Sequence, residues 1–180
     1  MATCAITSGY TIDCRDSVGG VETIYLIENS ALYDASGNTR VIDASGTITA
    51  ITKNTGKRFY EFQVPRGTAS TSNTITSSQE NGTIYYTHQV VFPINQRNAT
   101  IRNIVATLAK NRCSFIVKEG DGTYKMFGRG FGLTLDTAEA GSGVALGDRN
   151  GYNLTFSSME SEDFLVCPAN LVPSLIVAGT

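Results

Sequence analysis

Apolar and polar residues alternate along most of this chain, and the alternation predicts where strands run. "TIYYTHQVVF" (83–92) puts Ile84, Tyr86, His88, Val90 and Phe92 on one face and Tyr85, Thr87, Gln89 and Val91 on the other. Both faces carry apolar residues, so both are expected to be at least partly covered. "ETIYLIENSAL" (22–32) is rich in β-branched and aromatic residues and follows the turn signal "SVGG". "KRFYEFQV" (57–64) alternates and stops at Pro65, and "STSNTITSSQENG" (70–82) is polar and hydroxyl-rich. Its Asn81-Gly82 pair suits a type I′ hairpin turn, because both residues accept positive φ. "CSFIVKE" (113–119), the turn "GDG" (120–122) and "TYKMFG" (123–128) predict a second hairpin, with further strands at "GLTLDT" (132–137) and "NGYNLTFSS" (150–158).

One stretch breaks the alternation. In "NATIRNIVATLAKNR" (98–112), Ile101, Ile104, Val105 and Leu108 fall at i, i+3, i+4 and i+7, the stripe of a core-facing helix. Asn98 is placed to cap its start, and Lys110 and Arg112 suit the negative end of its dipole. The helix is expected over about 98–111, with Arg97, Arg102 and Lys110 turned outward.

The chain from 33 to 56 is polar and dotted with glycine, with short β-like pieces such as "TITAI" (47–51), and predicts a long loop. The end, "FLVCPANLVPSLIVAGT", is too apolar to be left in water, while Pro168 and Pro173 keep it from being a regular central strand. An extended arm over 168–180, laid on a neighbouring subunit, meets both conditions, with Leu171, Val172, Leu175, Ile176 and Val177 buried on assembly. Roughly eight or nine strands and one helix then give a single domain over 1–180. Its class is mainly β: an antiparallel sandwich or barrel with one flanking α-helix.

Composition sharpens this. Charged residues make up 17% of the chain, against about 25% in an ordinary soluble domain. Either the surface is neutral and hydroxyl-rich, or other subunits cover much of it. The net charge of −2 argues neither for nucleic acid nor for an acidic membrane. The first residues lack the basic and apolar regions of a secretory signal, so a product of the cytoplasm is expected. In that compartment Cys4, Cys14, Cys113 and Cys167 are expected as buried or interface thiols rather than as disulfides. The charge is also segregated. Residues 51–118 hold nine basic and two acidic side chains, residues 1–50 two and six, and residues 119–180 three and eight. Two readings stay open: the blocks attract neighbouring copies, with Lys57, Arg58 and Arg66 as contact residues, or the fold interleaves them within one chain.

Chemistry is thin. "GRGFG" (128–132) lacks the spacing and the following helix of a dinucleotide fingerprint; as an extended segment it would put three glycines on one face, which suits a bulge or the close approach of a packed neighbour such as the helix. His88, the only histidine, is expected as a hydrogen-bonded structural residue. No G-x-S-x-G surrounds a serine, no C-x-x-C supports zinc, and Glu160, Glu162 and Asp163 fall in an expected solvated loop. No catalytic, cofactor-binding or metal residue is assigned, and an enzyme is not expected. A secreted carbohydrate-binding β-sandwich is a second class of reading, but it would need export and usually flat Trp faces, and the chain has no Trp.

The order of these pieces resembles a known family. A strand near the start leads through a long polar loop to a hairpin with an aromatic-rich strand. One helix follows, then "FIVKEGDGTYKMFGRGFGL" and "GVALGDRNGYNLTFSSMESEDF". This looks like a bacteriophage major tail tube protein over most of the chain, and similar arrangements occur in phages of Bacteroidetes hosts. The resemblance implies a virion structural protein, made in the host cytoplasm, whose hexameric rings stack into a hollow tail tube. Each subunit gives several strands to the lumen barrel, and double-stranded DNA passes through it without specific contacts. It implies self-assembly and contact with other tail or connector proteins, no cofactor, and no membrane binding. A head–tail connector or baseplate protein of the same fold is the alternative within this class.

Overall fold

A computed structural model of the chain describes residues 9–10, 18–32, 40–42 and 46–176. In chain order its strands are β1 (Val21–Glu28), β2 (Arg40–Ile42), β3 (Ile48–Ile51), β4 (Tyr60–Gln63), β5 (Ser70–Ser78) and β6 (Thr83–Asn95). Helix α1 (Ala99–Leu108) follows, then β7 (Cys113–Glu119), β8 (Tyr124–Phe127), β9 (Thr134–Gly141), β10 (Gly151–Glu160) and β11 (Leu165–Cys167). A short helix, α2 (Val172–Leu175), comes last.

The strands form two larger antiparallel sheets, ordered β11-β8-β7-β1-β4 and β5-β6-β10-β9, with β2 and β3 as a separate pair. A mainly β, sandwich-like fold is therefore what the sequence adopts. Between the sheets, Phe92 and Phe156 stack with ring centres 5.8 Å apart, and Phe115 meets Phe156 edge-on at 5.0 Å. Helix α1 covers one side of this core. Asn98 Oδ1 accepts from Ile101 N at 2.8 Å, Val105 and Leu108 are buried, and Ile101 and Ile104 pack partly against the same cluster. Arg97, Arg102 and Lys110 are exposed, as expected.

A second core lies on the other face of the five-stranded sheet. On β1, Ile24 and Leu26 enter the first cluster while Tyr25 and Ile27 enter the second; on β7, Phe115 and Val117 divide from Ile116 in the same way. Burial on both faces explains why these strands read as nearly unbroken apolar runs. The second core is closed by Leu32, Ile48, Phe59, Leu165, Val172 and Leu175.

That core corrects the expected C-terminal arm. Residues 172–175 form a helical turn rather than an extended segment, and Val172 and Leu175 are buried within their own chain. Leu171 and Ile176 pack partly against the same cluster, and Val177 lies outside the described residues. The segment is tied down by Phe59 N donating to Leu175 O at 3.2 Å and by Lys53 Nζ donating to the carbonyls of Ser174 and Leu175. Its apolar character is thus used inside the subunit.

Two turns also differ from expectation. Strands β5 and β6 are joined by a four-residue turn over 79–82, with Gly82 at φ 61° and Asn81 at negative φ, so it is not type I′. The glycines of "GRGFG" bend rather than extend: Gly128 and Gly132 have φ of 69° and 77°.

Candidate assembly surface

Strand register sorts the side chains of the four-stranded sheet. Ser72 and Ser157 both stand opposite Gln89, and Ser70 and Thr155 both stand opposite Val91. Thr74 and Met159 flank Thr87, and Thr137 stands opposite Thr155. These residues line the face turned away from the core, where hydroxyls and amides dominate. None of β5, β6, β9 or β10 contains a lysine or arginine. Their carboxylates are Asp136 and Glu139 on exposed β9 and the buried Glu160. The sheet ends on both sides in a strand without an outer partner among the described residues, β5 at one edge and β9 at the other. Both edge strands are long, and an unpaired strand edge is a template for pairing with another chain.

At its far end the sheet outgrows its core. Strand β10 pairs with β6 only from Asn95 to Tyr86, so the β5–β6 hairpin projects beyond it, with Ile75 and Ile84 about 60% exposed. The loop after β9 carries Val144 and Leu146 fully in solvent and is braced by Asp148, which accepts from Val144 N and Ala145 N. These backbone bonds lower the Asp148 pKa.

The basic residues proposed for contacts sit elsewhere. Arg58 and Arg66 are exposed on either side of β4. Lys57 is bound to its own chain's Glu28 at 2.8 Å, and Lys118 to Glu22 at 2.6 Å. At these two places the fold interleaves the basic middle block with the acidic first block.

Two buried polar residues, His88 and Glu160, stand on the neighbouring strands β6 and β10. Glu160 Oε1 accepts from Phe131 N and Gly132 N, both at 3.1 Å, which holds the glycine-rich bend against β10. The close neighbours of that bend are Glu160 beside Gly130, Leu133 beside Gly128, and Asn29 and Arg112 beside Gly132. The strip is steric, as expected, but the helix is not what approaches it. Glu160 is buried rather than solvated, because it stands on a strand and not in a loop. His88 is 1% exposed, and neither ring nitrogen has a hydrogen-bond partner among the described residues, contrary to the expected hydrogen-bonded histidine. Burial lowers its pKa, which the carboxylates of Glu160, Asp163 and Glu162 partly offset.

Cys113 and Cys167 are buried free thiols, pushed up by burial to about 12 and about 11; Cys4 and Cys14 lie outside the described residues. Among the described residues no group of three or more His, Cys, Asp or Glu is placed to hold a metal ion. No protein-family model, curated protein or solved structure matches this chain.

Proposed function

We propose that this chain is the repeating subunit of a bacteriophage tail tube, assembling into hexameric rings that stack around a DNA-conducting channel. The observation that carries the reading is the four-stranded sheet whose two edge strands have no outer partner among the described residues, with an outer face without lysine or arginine. Pairing β5 of one copy with β9 of the next satisfies both edges and closes a ring in which every copy is equivalent. The sheet's outer face then lines the lumen.

That lining suits passage rather than binding. Phosphate contacts from lysine and arginine supply most of the affinity of proteins for DNA, so a hydroxyl and amide surface lets a polyanion slide. Two of the basic contact candidates, Arg58 and Arg66, flank β4 of the other sheet, on the tube's outer layer in this arrangement. The role requires no catalytic residue and no cofactor.

Negative-stain electron microscopy of the purified chain tests this directly. Tubes, or rings that stack with concentration, are the expected result. Single rings that never stack would favour the connector or baseplate role, and monomers at all concentrations and salt conditions would refute ring assembly by this chain alone.

A further inference from the structure

The buried polar cluster around His88 lies against β5, and its hydrogen bonding is incomplete among the described residues. Both ring nitrogens of His88 and Oδ1 of Asn73 are buried without partners among the described residues. An unpaired buried polar atom forfeits its hydration, and here three such atoms lie side by side on β5 and β6. Around them lie carboxylates already committed to backbone amides. Glu160 accepts from Phe131 N and Gly132 N, and Asp163 Oδ1 accepts from Phe164 N at 2.6 Å and from the Asn73 amide.

The groups facing His88 come from every element around it. Register places Asn73 of β5 and Ser158 of β10 directly opposite, with Glu160 two residues further along β10 on the same face. Glu162 and Asp163 follow in the next segment, and Phe127 of β8 meets the imidazole edge-on at 5.5 Å. The nearby cations are engaged elsewhere: Lys125 with Glu119 and over the Phe164 ring, Arg129 with Glu162.

We propose that His88 is the trigger of an acid-operated latch. When its ring takes a proton from solvent, the Glu160 and Asp163 carboxylates turn to the imidazolium and release the backbone amides of Phe131, Gly132 and Phe164. The bend at 128–133 and the segment at 161–164 then loosen together, while the phenylalanine core between the sheets stays closed. The neutral ring is the form compatible with the closed cluster. A histidine kept neutral in the fold contributes stability above its unfolded pKa of about 6.5, and that stability is lost as pH falls through the lower folded value. The latch therefore opens on acidification.

Because His88 is the only histidine in the chain, its ring resonances report the proton without assignment ambiguity. The experiment follows those resonances by NMR, and in parallel measures hydrogen exchange of segments 128–134 and 161–165 by mass spectrometry, from pH 7 down to about 5. Exchange is corrected for its intrinsic pH dependence. Protection in both segments is expected to fall by up to about tenfold per pH unit between about pH 6.5 and the midpoint of the ring, and to level off below that midpoint. In His88→Phe and His88→Gln the fall should vanish. Equal loss of protection in wild type and in a folded variant would assign it to carboxylate protonation and overturn the proposal. Should both variants fail to fold, wild type alone decides: a loss of protection that levels off at the ring midpoint supports the proposal, and one that continues below that midpoint overturns it.

Discussion

Lys57 Nζ lies 2.8 Å from the Glu28 carboxylate, tying the segment before β4 to the end of β1 within one subunit. The Lys57 ammonium donates its hydrogen bond to Glu28, which raises its pKa and keeps it charged. A charge satisfied at home has little left for a neighbour. Reversing Lys57 to Glu should therefore disturb its own chain by setting two carboxylates together, whereas reversing Arg58 and Arg66 should slow assembly and leave the monomer's melting temperature unchanged. Light scattering across a salt series checks this, because contacts between exposed charges weaken beyond ~8 Å at physiological ionic strength. Assembly kinetics indifferent to the Arg58 and Arg66 reversals would remove both from the contact surface.

Leu108 closes the last turn of α1 against the first core and is 7% exposed. Leu108→Ala should destabilise the fold by ~2–5 kcal/mol, read as a shift in urea midpoint at constant slope. A change in slope instead would mean that the helix detaches before the sheets separate.

Gly122 and Gly132 form a matched pair. Both have positive φ, 84° and 77°, but a Cβ at Gly122 meets open space while one at Gly132 comes within 2.8 Å of the Asn29 side chain. Gly122→Ala should cost only the left-handed backbone strain, about 1–2 kcal/mol. Gly132→Ala should cost clearly more, since Asn29 must also move from its bonds to Ser114 Oγ and Gly128 O. Equal urea shifts for the two variants would show that the bend yields freely.

Removing everything after Ala169 should damage the subunit itself. Val172 and Leu175 each contribute on the order of 1.5–3 kcal/mol by burial in the second core. Thermal unfolding should show a loss of several kcal/mol, with Phe59 and β11 the first elements to gain hydrogen exchange. A truncated chain with unchanged stability that fails only to assemble would restore the intersubunit arm.

Cys113 and Cys167 should resist alkylation at pH 8, because burial keeps both thiols protonated with pKa values near 12 and 11. Peptide mapping after iodoacetamide should find them labelled only when the chain unfolds. The sign of the linkage is fixed by the raised values. The fold gains nothing from these groups below pH 9 and loses stability above it, where the unfolded chain ionises its thiols and the folded chain does not.

Much of this architecture was legible in the order of residues. The period of 3.6 in Ile101, Ile104, Val105 and Leu108, with Asn98 before it, determined the helix and its buried side, because capping and amphipathicity act over one or two turns. The alternation in 83–92 determined which residues of β6 share a face, because a strand's side chains must alternate, but with apolar residues on both faces it left open which of them meets the core. The tertiary structure alone decided the rest. Whether an apolar tail covers its own chain or another is a matter of which surface lies within reach; here Phe59 and Ile116 leave a second core open beside it. Whether a carboxylate is solvated or buried depends on amides brought from far along the chain, as Phe131 and Gly132 are brought to Glu160. The absence of positive charge from one whole sheet emerged only when four separate segments were set side by side, since no single segment is long enough to reveal a surface.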